Sequence, residues 1–90
     1  MNDTKTELNP MRCAEAASQW LLGDSNWAHD AFACDTASEA NATLMYDGAG
    51  GYGGILWRIA HATPAEAERI ARVECEDEFD GIYDSLNSGN

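Results

Sequence analysis

Basic residues are what this chain has least of: Lys5, Arg12, Arg58, Arg69 and Arg72 stand against 16 Asp and Glu, a formal net charge of -11 at pH 7. A surface that tracks a nucleic-acid backbone must neutralise phosphates with Lys and Arg. Direct binding to DNA, RNA or anionic membranes is therefore disfavoured, while basic protein surfaces are attractive partners.

Long hydrophobic runs are also missing, and no stretch approaches the roughly 18 apolar residues of a membrane span. The segment "MNDTKTELNPMRCAEAASQWLLG" carries acids where a signal peptide carries bases, and its apolar residues are spread at helical spacing. No membrane association is expected, and the expected location is cytoplasmic. Cysteine is scarce and odd in number. Cys13, Cys34 and Cys75 contain no C-x-x-C, which argues against a disulfide framework and for a reducing compartment.

The same spacing bears on chemistry. Cys13, Cys34, Cys75, His29 and His61 are the ligand types of a zinc site, but they lack the local pairs that build one. Cys13 and Cys75 fall on apolar helical stripes, where a free thiol behaves as a small hydrophobe. Nothing places a Cys beside a His as nucleophile and base. No metal, no cofactor and no catalytic residue is expected, and the chain reads as a non-enzyme.

What is present is one small domain's worth of ordinary globular composition, 44% hydrophobic over 90 residues. Residues 1–8 read as a loose tail, 9–86 as a single domain and 87–90 as a second tail. Asn9-Pro10 supplies an N-cap and a first-turn proline, and Gly23 a stop, for a helix over 10–22 with Cys13, Ala16, Ala17, Trp20 and Leu21 on one face. The alanine-rich stretch 28–36 reads as a strand, with a short helix as the alternative. Segments 42–47 ("ATLMYD") and 55–61 ("ILWRIAH") read as strands, the latter from alternation of Ile55, Trp57 and Ile59. The expected fold is α+β: an N-terminal helix, two or three antiparallel strands with a glycine-rich hairpin, and a long acidic C-terminal helix. Trp20, Phe32, Trp57, Ile59, Phe79 and Ile82 are the expected core.

Between the two expected strands lies "GAGGYGG", in which Gly48, Gly50 and Gly53 fit the phosphate-loop spacing G-x-G-x-x-G. A dinucleotide loop follows a strand and opens a helix, whereas this one reads as flanked by strands, with Asp47 at its edge opposing an anion. It is closer to the glycine-rich hairpin of protein kinases, but no strand lysine, H-R-D or D-F-G accompanies it. The segment is expected to be a hairpin tip, with Tyr52 as a contact residue.

Thr63-Pro64 with Glu66 has the form of a capping box and opens a helix over 64–86. Glu68 is placed to pair Arg72, and Glu66 to pair Arg69. Two apolar stripes share this helix: Ala67, Ile70 and Val73 on one, and Cys75, Phe79, Ile82, Tyr83 and Leu86 on another rotated by roughly 140°. The helix kinks, splits near Gly81 or an earlier turn, or buries one stripe against a partner, including a second copy of the chain in a homodimer.

Its second half, "ECEDEFDGIYD", holds Glu74, Glu76, Asp77, Glu78, Asp80 and Asp84 with no basic residue from Val73 onward. On a continuous helix the like-charge i,i+3 and i,i+4 pairs cost on the order of 1 to 2.5 kcal/mol, and acids near a helix C-terminus oppose its dipole. Six charges along about 15 Å of axis approach the linear charge density of duplex DNA, about one per 1.7 Å. These six acids and Tyr52 are the expected partner-binding residues, for a basic, nucleic-acid-binding protein or complex. The competing reading is a small adaptor or structural domain that binds a protein through an apolar face, its acids serving solubility or salt adaptation.

A chain this small, acidic and motif-free resembles the phage and mobile-element inhibitors of bacterial defence, the anti-CRISPR and antirestriction proteins. The resemblance rests on size, charge and the compact α+β plan. It implies an inhibitor, acting in the cytoplasm of a bacterial host, that occludes the nucleic-acid-binding surface of a defence complex by imitating DNA.

Overall fold

The computed structural model describes residues 8–88, and they fold as helices alone. In chain order these are α1 (Pro10–Leu22), α2 (Trp27–Phe32), α3 (Ala37–Tyr46), α4 (Gly53–His61), α5 (Pro64–Cys75) and α6 (Phe79–Ser88), with a 3-10 turn, Glu76–Glu78, between the last two. The expected α+β fold is therefore wrong: no strand occurs among the described residues. Segment 28–36 is mostly α2, 42–47 is the end of α3, and 55–61 lies within α4. Residues 1–7 of the expected leading tail lie outside the described residues, whereas Leu8 packs against the core. At the other end α6 takes in Asn87 and Ser88, and residues 89 and 90 of the expected second tail lie outside.

The helix ends are set by local chemistry. Asn9 Oδ1 accepts the Arg12 N–H at 3.1 Å, Pro10 begins α1, and Gly23 closes it in the left-handed region at φ 75°. Thr63 Oγ1 accepts the Glu66 N–H at 3.3 Å to start α5. The Glu66 carboxylate does not complete a capping box but pairs with Arg69. At α3, Thr36 Oγ1 accepts the Glu39 N–H at 3.0 Å, and Glu39 Oε1 reaches back to the Asp35 N–H at 3.2 Å.

Helices α1 and α4 are central: α4 packs on α1, α2, α3 and α5, and α1 also meets α5 and α6. Centrality explains why the residues of α4 read as a strand. A short helix enclosed by four neighbours shows a nearly continuous apolar run, in which the helical stripe of Leu56, Ile59 and Ala60 coexists with a strand-like alternation. The core is dominated by alanine, including Ala14, Ala16, Ala17, Ala28, Ala31, Ala40, Ala67 and Ala71, around Leu44, Leu56, Ile59, Phe79 and the thiols Cys13 and Cys75. Small side chains let helix axes approach closely. Of the expected core, Ile59 and Phe79 are buried and Trp57 and Ile82 pack at its edge, but Trp20 and Phe32 are each 46% exposed.

The glycine segment joins two helices. Gly48 (φ 95°) and Gly50 (φ 75°) make the reversal in backbone regions that other residues rarely enter. Gly53 opens α4 against the backbone of α3, where a Cβ would stand 2.1 Å from the Ala40 carbonyl oxygen. Its flanks are thus helices rather than the expected strands. The segment does open a helix, but it follows one too, so it matches neither the dinucleotide nor the kinase arrangement.

No helix among the described residues is long and apolar enough to cross a membrane.

Candidate interaction surface

The acidic segment does not form one long helix. Helix α5 ends at Cys75, Glu76 takes φ 55° and ψ -132°, and after one 3-10 turn the chain enters α6. Burial sets the position of this break. Ala67, Ala71 and Cys75 are buried on one face of α5, and Phe79 is buried at the start of α6 with Ile82, Tyr83 and Leu86 packed on the core behind it. On a continuous helix this second set would centre on a face rotated away from that of Ala67 and Ile70.

Breaking the helix here reverses the expected electrostatics. Glu76, Asp77, Glu78 and Asp80 stand at the N-terminal end of α6, where negative charge is stabilised by the helix dipole. The break takes Glu74 with Glu78 and Glu76 with Asp80 out of straight-helix spacing, which corrects the straight ladder of about 15 Å and part of the expected cost. Asp80 and Asp84 keep the i,i+4 spacing within α6, and Glu74 stays in the last turn of α5.

Exposure keeps the surface acidic. Glu76, Asp77, Glu78, Asp80 and Asp84 are exposed and Glu74 is half-buried. Asp80 is held at 3.0 Å by Arg72, which also donates to Glu68 at 2.8 Å and lies 4.7 Å from the centroid of the Phe79 ring. The bonds to Glu68 and then Asp80 raise the Arg72 pKa, keeping the charge on this tie. Glu74, Glu76, Asp77, Glu78 and Asp84 have no ion-pair partner among the described residues. Beside them a groove of about 270 Å³ runs between α1 and α6, lined by Gln19, Glu78, Gly81, Ile82, Ser85 and Leu86.

Tyr52 is not part of this corner. It is the N-cap residue of α4, at a turn whose neighbours Met45 (54% exposed) and Tyr46 (91% exposed) project from the end of α3. A second aromatic patch lies on α2 and α4: the His61 ring stacks on Phe32 at 4.7 Å and tilts against Trp57 at 4.2 Å, while Trp57 Nε1 donates to the Cys34 carbonyl at 2.9 Å. Sequence reasoning missed this patch because it assigned Phe32 and Trp57 to the core.

The residues weighed for chemistry are dispersed. His29 Nε2 pairs with the largely buried Glu15 carboxylate, which also takes Arg12 Nη1 at 2.7 Å, tying α1 to α2. Among the described residues no hydroxyl or thiol is hydrogen-bonded to His29, and Ser18 Oγ donates to the Asp24 carbonyl at 2.5 Å. Burial raises the Cys13 and Cys75 thiols to about 11, with Glu68 adding to the effect at Cys13 and Glu74 at Cys75. Among the described residues no group of three or more His, Cys, Asp or Glu side chains is placed to hold a metal ion.

No protein-family model, curated protein or solved structure matches this chain.

Proposed function

We propose that this chain is a small protein-binding module of inhibitor type, which docks the acidic corner at the α5–α6 junction onto a basic, nucleic-acid-binding surface and blocks access to it. The observation that carries this reading is that five acids, Glu74, Glu76, Asp77, Glu78 and Asp84, lie within one helical corner with no ion-pair partner among the described residues. A groove lined with Lys and Arg for phosphates supplies the missing counter-charges and releases its bound anions on contact. Because the helix break places most of these acids at the start of α6, they are stably presented in the free protein. Such a corner resembles a cluster of phosphates more than a straight strand of them.

The role is occlusion rather than chemistry, and the partner class suits an inhibitor of a bacterial defence complex, as the resemblance to anti-CRISPR and antirestriction proteins implies. That resemblance now rests on size and charge alone, since the α+β plan does not hold. Capture from bacterial lysate tests it. Nucleic-acid-binding proteins are expected on the immobilised chain at low salt, and their loss when Glu76, Asp77, Asp80 and Asp84 are reversed to Lys, with helix content checked by circular dichroism. Retention of the same partners by the folded reversal variant contradicts the reading.

A second reading, an adaptor docking through an apolar face, is favoured by the exposed Phe32 and His61 rings beside the half-buried Trp57. It predicts binding that is insensitive to salt and lost in Phe32→Ala.

A further inference from the structure

Glu76 is the one non-glycine residue with a positive φ among the described residues. Glycine enters such backbone freely, whereas a glutamate held there is strained. Neither glycine nor proline stands at the break, so no backbone restriction prevents Pro64–Ser88 from forming one helix, and only repulsion among its acids opposes it locally.

The bend is held from outside by Arg72. Its guanidinium reaches Glu68 on its own helix at 2.8 Å and Asp80 on the far side of the break at 3.0 Å, and it lies over the Phe79 ring. In a straight helix residues 72 and 80 would be about 12 Å apart along the axis, so this clamp exists only in the bent form. Straightening relieves Glu76 but sets Glu74 against Glu78 and Glu76 against Asp80 at i,i+4. It also lifts α6 away from α1. Phe79 is buried, Ile82, Tyr83 and Leu86 pack on the core, and the Tyr83 hydroxyl accepts the Asn9 N–H at 3.0 Å. These groups fit an α1 surface, and a second copy of the chain carries the same one.

We propose that residues 76–78 are a hinge through which α6 is exchanged between two copies of this chain, each α6 covering the α1 of the other. Closed and exchanged forms make the same α1–α6 contacts, so the balance rests on the hinge, the protein concentration and the ionic strength. Salt acts in one direction. It weakens the Arg72–Asp80 tie of the bent form, and it screens repulsion among the acids of the straight form and between two copies of charge -11. This exchange concerns self-association and does not rest on the docking reading.

Light scattering on the full chain, over a range of concentrations in ~50 mM and ~1 M salt, tests it. The wild type is expected to be monomeric at low salt and to form a dimer that grows with concentration at high salt. Arg72→Gln removes the clamp and dimerises at an about ten-fold lower concentration. Glu76→Gly accepts the bend without strain and stays monomeric where the wild type is dimeric. In dimers mixed from isotope-labelled and unlabelled chains, nuclear Overhauser contacts between Ile82 and Gln19, which line the same groove, run between chains. The proposal is overturned if wild type and Arg72→Gln stay monomeric at about 1 mM in high salt. It is equally overturned if Glu76→Gly dimerises as readily as wild type, or if the Ile82–Gln19 contacts in the dimer are all intramolecular.

Discussion

Replacing Gly53 by alanine adds one methyl group at the point where α4 meets α3. That Cβ would lie 2.1 Å from the Ala40 carbonyl oxygen, 2.5 Å from the Ala40 carbonyl carbon and 2.8 Å from the Asn41 Cα. All three are backbone atoms, so no side-chain rotation makes room, and contacts at about 3.5 Å are restored only if the two helices move apart by more than about 1 Å. Ala40, Leu44, Leu56 and Ile59 would all loosen, since they share one core. Overpacking costs about 1–3 kcal/mol, and rigid backbone on one side puts this site at the upper end. Alanine returns less than about 1 kcal/mol in helix propensity at a first-turn position. A net loss of about 2–3 kcal/mol lowers the melting temperature of a domain this size by about 10–20 °C. Thermal unfolding followed by circular dichroism measures it, with Gly54→Ala as the control. There the nearest atoms are the Ala37 carbonyl oxygen at 3.4 Å and the Asn41 Cβ at 3.8 Å, and a change within about 1 kcal/mol is expected. If Gly53→Ala melts with the wild type, the close α3–α4 crossing is not the reason for glycine at this position.

Three further outcomes follow from the same packing. Gly81→Ala, in open space within α6, should stabilise the fold by about 0.5–1 kcal/mol in urea titration, because alanine loses less backbone entropy in a helix. Phe79→Ala should cost about 3–5 kcal/mol, as expected for a large ring removed from the core; a loss below about 1 kcal/mol would mean that α6 is not anchored there. The thiols Cys13 and Cys75 keep their protons in the folded chain up to about 11, against 9.0 when unperturbed. The unfolded chain therefore ionises first: the stabilising contribution is complete below pH 9.0 and is lost as pH rises toward about 11. Unfolding titrations across that window should show a decline that is smaller in the Cys13→Ala, Cys75→Ala double variant, and equal slopes in the two proteins would contradict the assignment.

Helix ends announced themselves where a capping side chain or a glycine is required. Asn9-Pro10, Gly23 and Thr63-Pro64 could be read directly, and the pairs Glu66–Arg69 and Glu68–Arg72 follow from helical spacing. Helices α3 and α4 could not, because short apolar runs satisfy helical and strand periods together. Thr36-x-x-Glu39 was the one local signal that favoured a helix. The break at Glu76 has no marker in its own residues, since it is set by burying both the Ala67, Ala71 and Cys75 face of α5 and the Phe79, Ile82 and Leu86 face of α6 against a shared core. The acidic corner was legible as charge, but its relation to the helix dipole was not: that depended on where α5 ends. Trp20 and Phe32 lie outside the core for a related reason, since a core filled by alanine leaves little room for large rings.

On the proposed function, the acidic corner competes with nucleic acid for a basic protein surface. This competition is tested most directly by displacing captured partners from the immobilised chain with double-stranded DNA at low salt. DNA is expected to release them, affinity to fall with a steep slope against salt concentration, and DNA itself not to bind the chain. Partners that stay bound in excess DNA, or an affinity indifferent to salt, would contradict it.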